Sequence, residues 1–322
     1  MATQANAAPL FSDDTVIDVE IIGPLSSVIK DKKDREELPF VLRANGVDHS
    51  IKLRVRGKSR TRVCDFPPLR IRFSDDDTDG TIFAGQNKLK LVTQCQKDKS
   101  ARANVLEEFA AYRIFNVISD ISFKVRLLRV RYTDTGGRLQ DGLVEQLGFL
   151  IESKTGIADR LGAEPVALAG IKRSSLDGQQ AAAVFVFQYL IANTDWSLVA
   201  ADGEDECCHN GELFKAATGL YYVPYDFDLS GLVNAHYASP DRSLGMRSVT
   251  QRRYRGYCVP TDTILSSISR INAMSSDILR VPSEIPGMQP RDVAASVKFL
   301  QRFFAQAEDE EKLTKSFDKR CL

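Results

Sequence analysis

Short segments in which apolar residues alternate with polar or basic ones fill the first hundred positions. Residues 15–22 (TVIDVEII), 40–43, 50–56 (SIKLRVR), 69–73 (LRIRF) and 88–92 (KLKLV) are β-branched or alternating, bounded by Gly, Asp, Asn and Pro. Such period-two segments predict strands. The basic residues interleaved in LRVR and LRIRF predict a sheet with one face in water. Residues 101–119 (ARANVLEEFAAYRIFNVIS) are apolar nearly all round, which predicts a buried helix. Its two acids, Glu107 and Glu108, then need partners. Residues 125–132 and 147–151 (LGFLI) read as two further strands, and after Glu152 the character changes. Residues 179–192 predict a buried helix, and 262–279 and 290–313 predict amphipathic ones. The order gives an α+β chain: a flexible N-terminus (1–14), a β-rich lobe with one buried helix (15–152) and a mainly helical lobe (153–322). There is no internal repeat.

Composition narrows the function classes. Lys+Arg and Asp+Glu number 43 each, so no global field recruits nucleic acid or an acidic membrane. The basic stretches at 52–62 and 247–255 are local and read first as solvated surface. No run of 18 apolar residues occurs, so no membrane span is expected. The stretch Ala5-Asn6-Ala7-Ala8-Pro9 resembles a leader cleavage site, which makes an exported (secreted or periplasmic) protein one expectation and a cytoplasmic one the other. Six cysteines without a Cys-x-x-Cys pair, and three scattered histidines, argue against zinc. In an exported chain the cysteines suit two or three disulfides; in a cytosolic one they are free thiols.

The chemistry concentrates in residues 187–231 (FQYLIANTDWSLVAADGEDECCHNGELFKAATGLYYVPYDFDLSG). An apolar helix releases Asp195, a polar loop carries His209-Asn210, and a β-like run (220–225) ends in Asp226-Phe227-Asp228. Phosphoryl transfer from a metal nucleotide needs this inventory: a carboxylate to orient or deprotonate the acceptor, and an Asn and an Asp to hold the cation. Upstream, Lys90 in KLKLV precedes the buried helix that carries Glu108, the strand-then-helix order of a kinase Lys–Glu pair. Lys88 and Glu107 are their rivals. No GxGxxG is present, and the phosphate-covering candidate is a basic hairpin, Arg56-Gly57-Lys58-Ser59-Arg60. Each residue also has a plainer reading: Asp195 ends a helix, Asp226 and Asp228 form a turn, Trp196 packs, and His209 is structural.

LRVRGKSR, PPLRIRF, KLKLV, the LEEFAAYRIF helix, NTDW, HN and YDFDLSG, in that order, resemble the CotH family of spore-coat and secreted atypical kinases. FQYLIANTD…HNGELF…VPYDFDLS also looks like the catalytic segment of HipA-type kinases, and the resemblance spans about residues 54–231. It implies a protein-kinase-like two-lobe fold that binds ATP with Mg2+ or Mn2+ and phosphorylates a protein Ser or Thr. By position, Lys90 would contact the ATP phosphates beside Arg56 and Lys58, and Glu108 would pair with it. Asp195 would be the catalytic acid/base, and Asn210 with Asp226 would hold the metal. Asp228 stands where a DFG segment has glycine, which leaves it as a second candidate ligand. The loop between Asp195 and Asn210 is longer than in typical kinases and carries Asp202, Glu204, Asp205 and Glu206. Transfer of AMP instead of phosphate stays open. The competing readings are a catalytically degenerate kinase fold kept as an exported binding module, and a glycosyltransferase using Asp226-x-Asp228 as a metal clamp on a nucleotide sugar. A monomer is expected; its protein substrate is not legible.

Overall fold

The computed structural model of the protein describes residues 9–57, 59–74, 78–96, 100–137, 145–198 and 207–322. Its contacts divide the chain into two compact units, Met1–Phe109 with Lys124–Arg160, and Ala110–Phe123 with Leu161–Leu322. Strands and helices are both well represented, a mixed α/β architecture.

The first unit runs β1 (Ile17–Gly23), α1 (Leu25–Lys30), β2 (Leu38–Ala44), β3 (Val47–Val55), α2 (Arg60–Val63), β4 (Leu69–Phe73), β5 (Lys88–Val92), α3 (Ala101–Ile118), β6 (Val125–Asp134), β7 (Glu145–Ile151) and α4 (Lys154–Leu161). The division passes through α3 and just before the end of α4. Seven strands close into a barrel in the order β1-β2-β3-β4-β5-β7-β6. Neighbours are antiparallel except β1 and β6, which pair in parallel with Val19 opposite Val130 and complete the ring. Alternation decides which residues face in. Ile17, Val19 and Ile21, then Leu42, Ile51, Leu53, Leu69 and Ile71 are buried, while Asp18 and Arg43 stay outside. Asn45 and Gly46 join β2 to β3 with φ of 51° and 77°, the two left-handed positions that a tight hairpin of the right twist demands.

Within the segment expected to be flexible through residue 14, Leu10 and Phe11 are buried, and the buried Arg126 bonds Asp13 and the Thr15 hydroxyl. The single-turn helix α2 begins at Arg60, within the stretch expected as a basic hairpin. A disulfide, Cys64–Cys95, ties the end of α2 to the segment after β5.

The second unit contains β8 (Glu164–Val166), α5 (Gly178–Leu190), β9 (Gly211–Ala216), β10 (Gly219–Pro224), α6 (Thr261–Ala273), α7 (Ser275–Glu284), α8 (Pro290–Ala307) and α9 (Glu310–Asp318). Asp177 caps α5 by accepting from the Gln180 amide at 2.8 Å. The helix is buried on nearly every side, and Phe187 stacks on Phe115 at 4.5 Å. The sheet order is β10-β9-β8, all antiparallel. The Gln180 side chain lies along β10, donating to the Tyr222 carbonyl at 2.7 Å and accepting from its N–H at 3.2 Å. Each long amphipathic helix expected near the C-terminus is two helices. The first breaks at Met274, between α6 and α7. The second breaks at Glu308–Asp309, where Asp309 caps α9 by accepting from the Lys312 amide. Both breaks keep the apolar stripe on the buried side, so periodicity does not register them. A second disulfide, Cys258–Cys321, fastens the C-terminal residues. Among the described residues no helix is long and apolar enough to cross a membrane.

Candidate functional site

The candidate site of the second unit begins where α5 stops. Ala192 takes a left-handed backbone, φ 52°, and turns the chain out of the helix. Asn193, buried, then organises the loop. Its amide nitrogen donates to Gln188 Oε1 at 2.9 Å, its Oδ1 accepts from the Asp195 N–H at 3.0 Å, and its carbonyl accepts from Trp196 Nε1 at 3.2 Å. Trp196 is buried and stacks on Phe185 at 5.6 Å, so it packs, in line with its plainer reading. Gly231 donates to the Ala192 carbonyl at 3.0 Å and holds the loop from the other side. The Asn-Thr-Asp-Trp stretch is therefore a braced presentation of one carboxylate.

That carboxylate, on Asp195, is gripped at both oxygens. Oδ1 lies 2.9 Å from His209 Nε2, and Oδ2 accepts from Asn210 Nδ2 at 2.8 Å. The same Nδ2 donates to the Asp195 carbonyl at 2.7 Å. With both donors of the Asn210 amide spent on Asp195, its Oδ1 is left as the acceptor of that amide. Across the long loop between them, a bridge pairs Ser197 with His209 (N–H to carbonyl, 3.2 and 3.1 Å). The acids Asp202, Glu204, Asp205 and Glu206 lie outside the described residues. Tyr222 braces the far side, its hydroxyl 3.1 Å from the His209 carbonyl and 3.2 Å from that of Asn210. Its ring takes the space beside Gly211, where a Cβ would come within 1.9 Å of it. Burial, reinforced by Tyr225 and Asp195, pushes the Tyr222 phenol well above its ordinary range, so it remains a donor.

Pairing of β9 with β10 sets Pro224 opposite Gly211, and the Tyr225 N–H reaches the Asn210 carbonyl at 3.0 Å. Asp226 follows directly, in left-handed conformation at φ 65°, with its N–H on the Tyr112 hydroxyl at 2.9 Å. Phe227 is fully buried against Tyr112 and Phe187, with ring centroids 4.6 and 5.3 Å away. Asp228 points inward. It is 4 % exposed and accepts from the Tyr237 hydroxyl at 3.1 Å. Among the described residues, four of the six non-glycine positions with positive φ (Ala192, Asn210, Asp226 and Asn234) belong to this stretch of chain. Concentrated backbone strain is a mark of functional sites.

The remaining candidates lie in the first unit. Glu108 on α3 is 2 % exposed and pairs at 2.8 Å with Arg60 Nη2, whose side chain is 5 % exposed. Arg60 is thus a partner that sequence reasoning passed over. The available signal was an acid on an all-apolar helix together with a dense basic cluster upstream. Lys90 sits on β5 opposite Arg70 and Ile151 and is half-buried. Arg56 is buried just beyond β3, with its N–H on the Pro68 carbonyl at 2.9 Å. Lys58 lies outside the described residues.

Among the described residues no group of three His, Cys, Asp or Glu gathers that could hold a metal ion. No protein-family model matches the chain. No curated protein matches it either. Among solved structures it is similar to the proinflammatory kinase CtkA of Helicobacter pylori, at 9 % identity and a TM-score of 0.42, over 88 % of this chain and 93 % of that one.

Proposed function

We propose that the protein is an atypical kinase of the CotH and HipA kind, transferring phosphate from ATP to a protein Ser or Thr hydroxyl with Mg2+ or Mn2+. The observation that carries the reading is the Asp195 carboxylate clamped by His209 and Asn210, with Asp226, on a left-handed backbone, directly after the Tyr225 that bonds the Asn210 carbonyl. In it Asp195 orients the acceptor hydroxyl and takes its proton. Asn210 Oδ1 and the Asp226 carboxylate are the hard oxygen ligands. Two protein ligands fit magnesium, which is usually held by one or two carboxylates plus phosphate oxygens and waters. The cation, when bound, neutralises charge on the transferring phosphoryl group. Asp228, buried and bonded to Tyr237, becomes a support for the turn and Asp226 the ligand. The first unit serves as the nucleotide lobe of a kinase-like fold. Lys90, Arg56 and Lys58 are assigned to the phosphates, and Glu108, already paired with Arg60, to positioning. The disulfides Cys64–Cys95 and Cys258–Cys321 favour an exported protein.

A second reading, a nucleotide-binding module without transfer, is favoured by both Asp195 carboxylate oxygens being already engaged, by His209 and Asn210. Intact-mass measurement after incubation with ATP and Mg2+ or Mn2+ separates the cases, run beside a thermal-shift titration. A kinase gains phosphate; Asp195→Asn abolishes the gain but keeps the nucleotide-dependent rise in melting temperature, and Asp226→Ala loses both. Added AMP in place of phosphate redirects the chemistry. A thermal rise with no mass gain supports the module. No response of either kind refutes both.

A further inference from the structure

We infer that His209 is a positioning residue for the transfer step: its imidazole fixes the plane of the Asp195 carboxylate against the acceptor hydroxyl. The inference rests on the kinase reading above and deepens it. The bond from Nε2 to Asp195 Oδ1 is 2.9 Å, and the two side chains are 24 % and 34 % exposed. A pair this open to water contributes little to stability. The backbone of the segment is held independently of the ring. The His209 N–H and carbonyl are bound to Ser197, and the carbonyl also accepts from Tyr222, none of which involves the imidazole.

What the ring controls is orientation. A carboxylate rotates freely about its last bond unless each oxygen is held. Asn210 holds Oδ2 and His209 holds Oδ1, so the plane is set by two independent donors. In the transfer, the acceptor oxygen bonds to the γ-phosphorus and the bond from that phosphorus to the bridging oxygen breaks. ADP leaves, and the hydroxyl proton passes to the Asp195 carboxylate. In a loose transition state the acceptor keeps its proton until late, so alignment of the hydroxyl counts for more than the strength of the base. The two bonds to Asp195, from His209 and Asn210, hold its carboxylate as a guide for that hydroxyl. Misplacing a reacting group by an ångström costs on the order of 10²-fold in rate.

The experiment compares His209→Ala and His209→Gln with the wild type at one fixed pH, using ATP and Mg2+. It reads initial rates of phosphate incorporation by mass, and nucleotide affinity by thermal shift. Removing the donor in His209→Ala lowers kcat by roughly 10²-fold with nucleotide affinity unchanged. His209→Gln, which supplies an amide N–H of similar reach, restores most of the rate. The inference is overturned if His209→Ala matches the wild type, or if Ala and Gln variants are equally slow. It is also overturned if His209→Ala loses nucleotide affinity along with rate, the mark of a structural role. A wild type that transfers nothing sinks the kinase reading instead, and this inference with it.

Discussion

Asp226 offers a test in which stability and function part company. Its φ of 65° lies in the left-handed region, where a residue with a Cβ pays about 1–2 kcal/mol and glycine pays nothing. Replacing it with Ala or with Gly deletes the carboxylate in both cases, so whatever the side chain contacts is lost equally. The N–H bond to Tyr112 is kept in both. The remaining difference is conformational. Ala carries the full left-handed penalty, whereas Gly escapes it and gives back part through the greater freedom of its unfolded chain. The net expectation is Asp226→Gly more stable than Asp226→Ala by about 1 kcal/mol, or some 2–4 °C in melting temperature for a unit of this size. Calorimetry without ligand measures that gap. Repeating it with ATP and Mg2+ should raise the wild type and neither variant. Ala melting at or above Gly would refute the claim that strain is stored here, and an Asp226→Gly protein that still responds to Mg2+-nucleotide would remove Asp226 from the metal site.

Two further outcomes follow from bonds that hold the same unit. Tyr112→Phe leaves the ring against Phe227 but strips the acceptor from the Asp226 N–H, which should cost about 1 kcal/mol and weaken Mg2+-nucleotide affinity; an unchanged thermal titration argues against it. Replacing both Cys258 and Cys321 by Ser removes a link across 63 positions, worth about 4 kcal/mol in the chain-entropy account, and denaturant unfolding that shows no loss contradicts the bond.

Local patterning made the strands of the first unit legible, and 69–73 and 88–92 agree with the structure to the residue. Closure of the barrel was not legible. Its sealing pair, β1 with β6, joins segments more than a hundred residues apart, and alternation says which face is wet but not which strand is the neighbour. The strand Gly211–Ala216 hid because GELFKA carries charge at its exposed positions and follows a polar loop. In the candidate site, the sequence order of Asp195, Asn210 and Asp226 was informative because a hairpin returns the last to the second. The same hairpin also brought in His209, read as merely structural because a single histidine carries no pattern. Arg60 was missed for a different reason. A buried arginine in the run RGKSRTR is indistinguishable from its solvated neighbours until its carboxylate partner is known.

The Gln180 amide laid along β10 has a consequence for association. An unpaired strand border is a template for a foreign strand, and thereby for fibres. Ring closure leaves the barrel none. In the small sheet, Gln180 occupies the Tyr222 backbone groups on one flank, and the other flank is only Glu164–Val166, whose central Pro165 has no N–H to give. Among the described residues these two sheets therefore offer no long ladder for an incoming segment, and a polypeptide acceptor would have to be recognised through side chains rather than by adding itself as another strand.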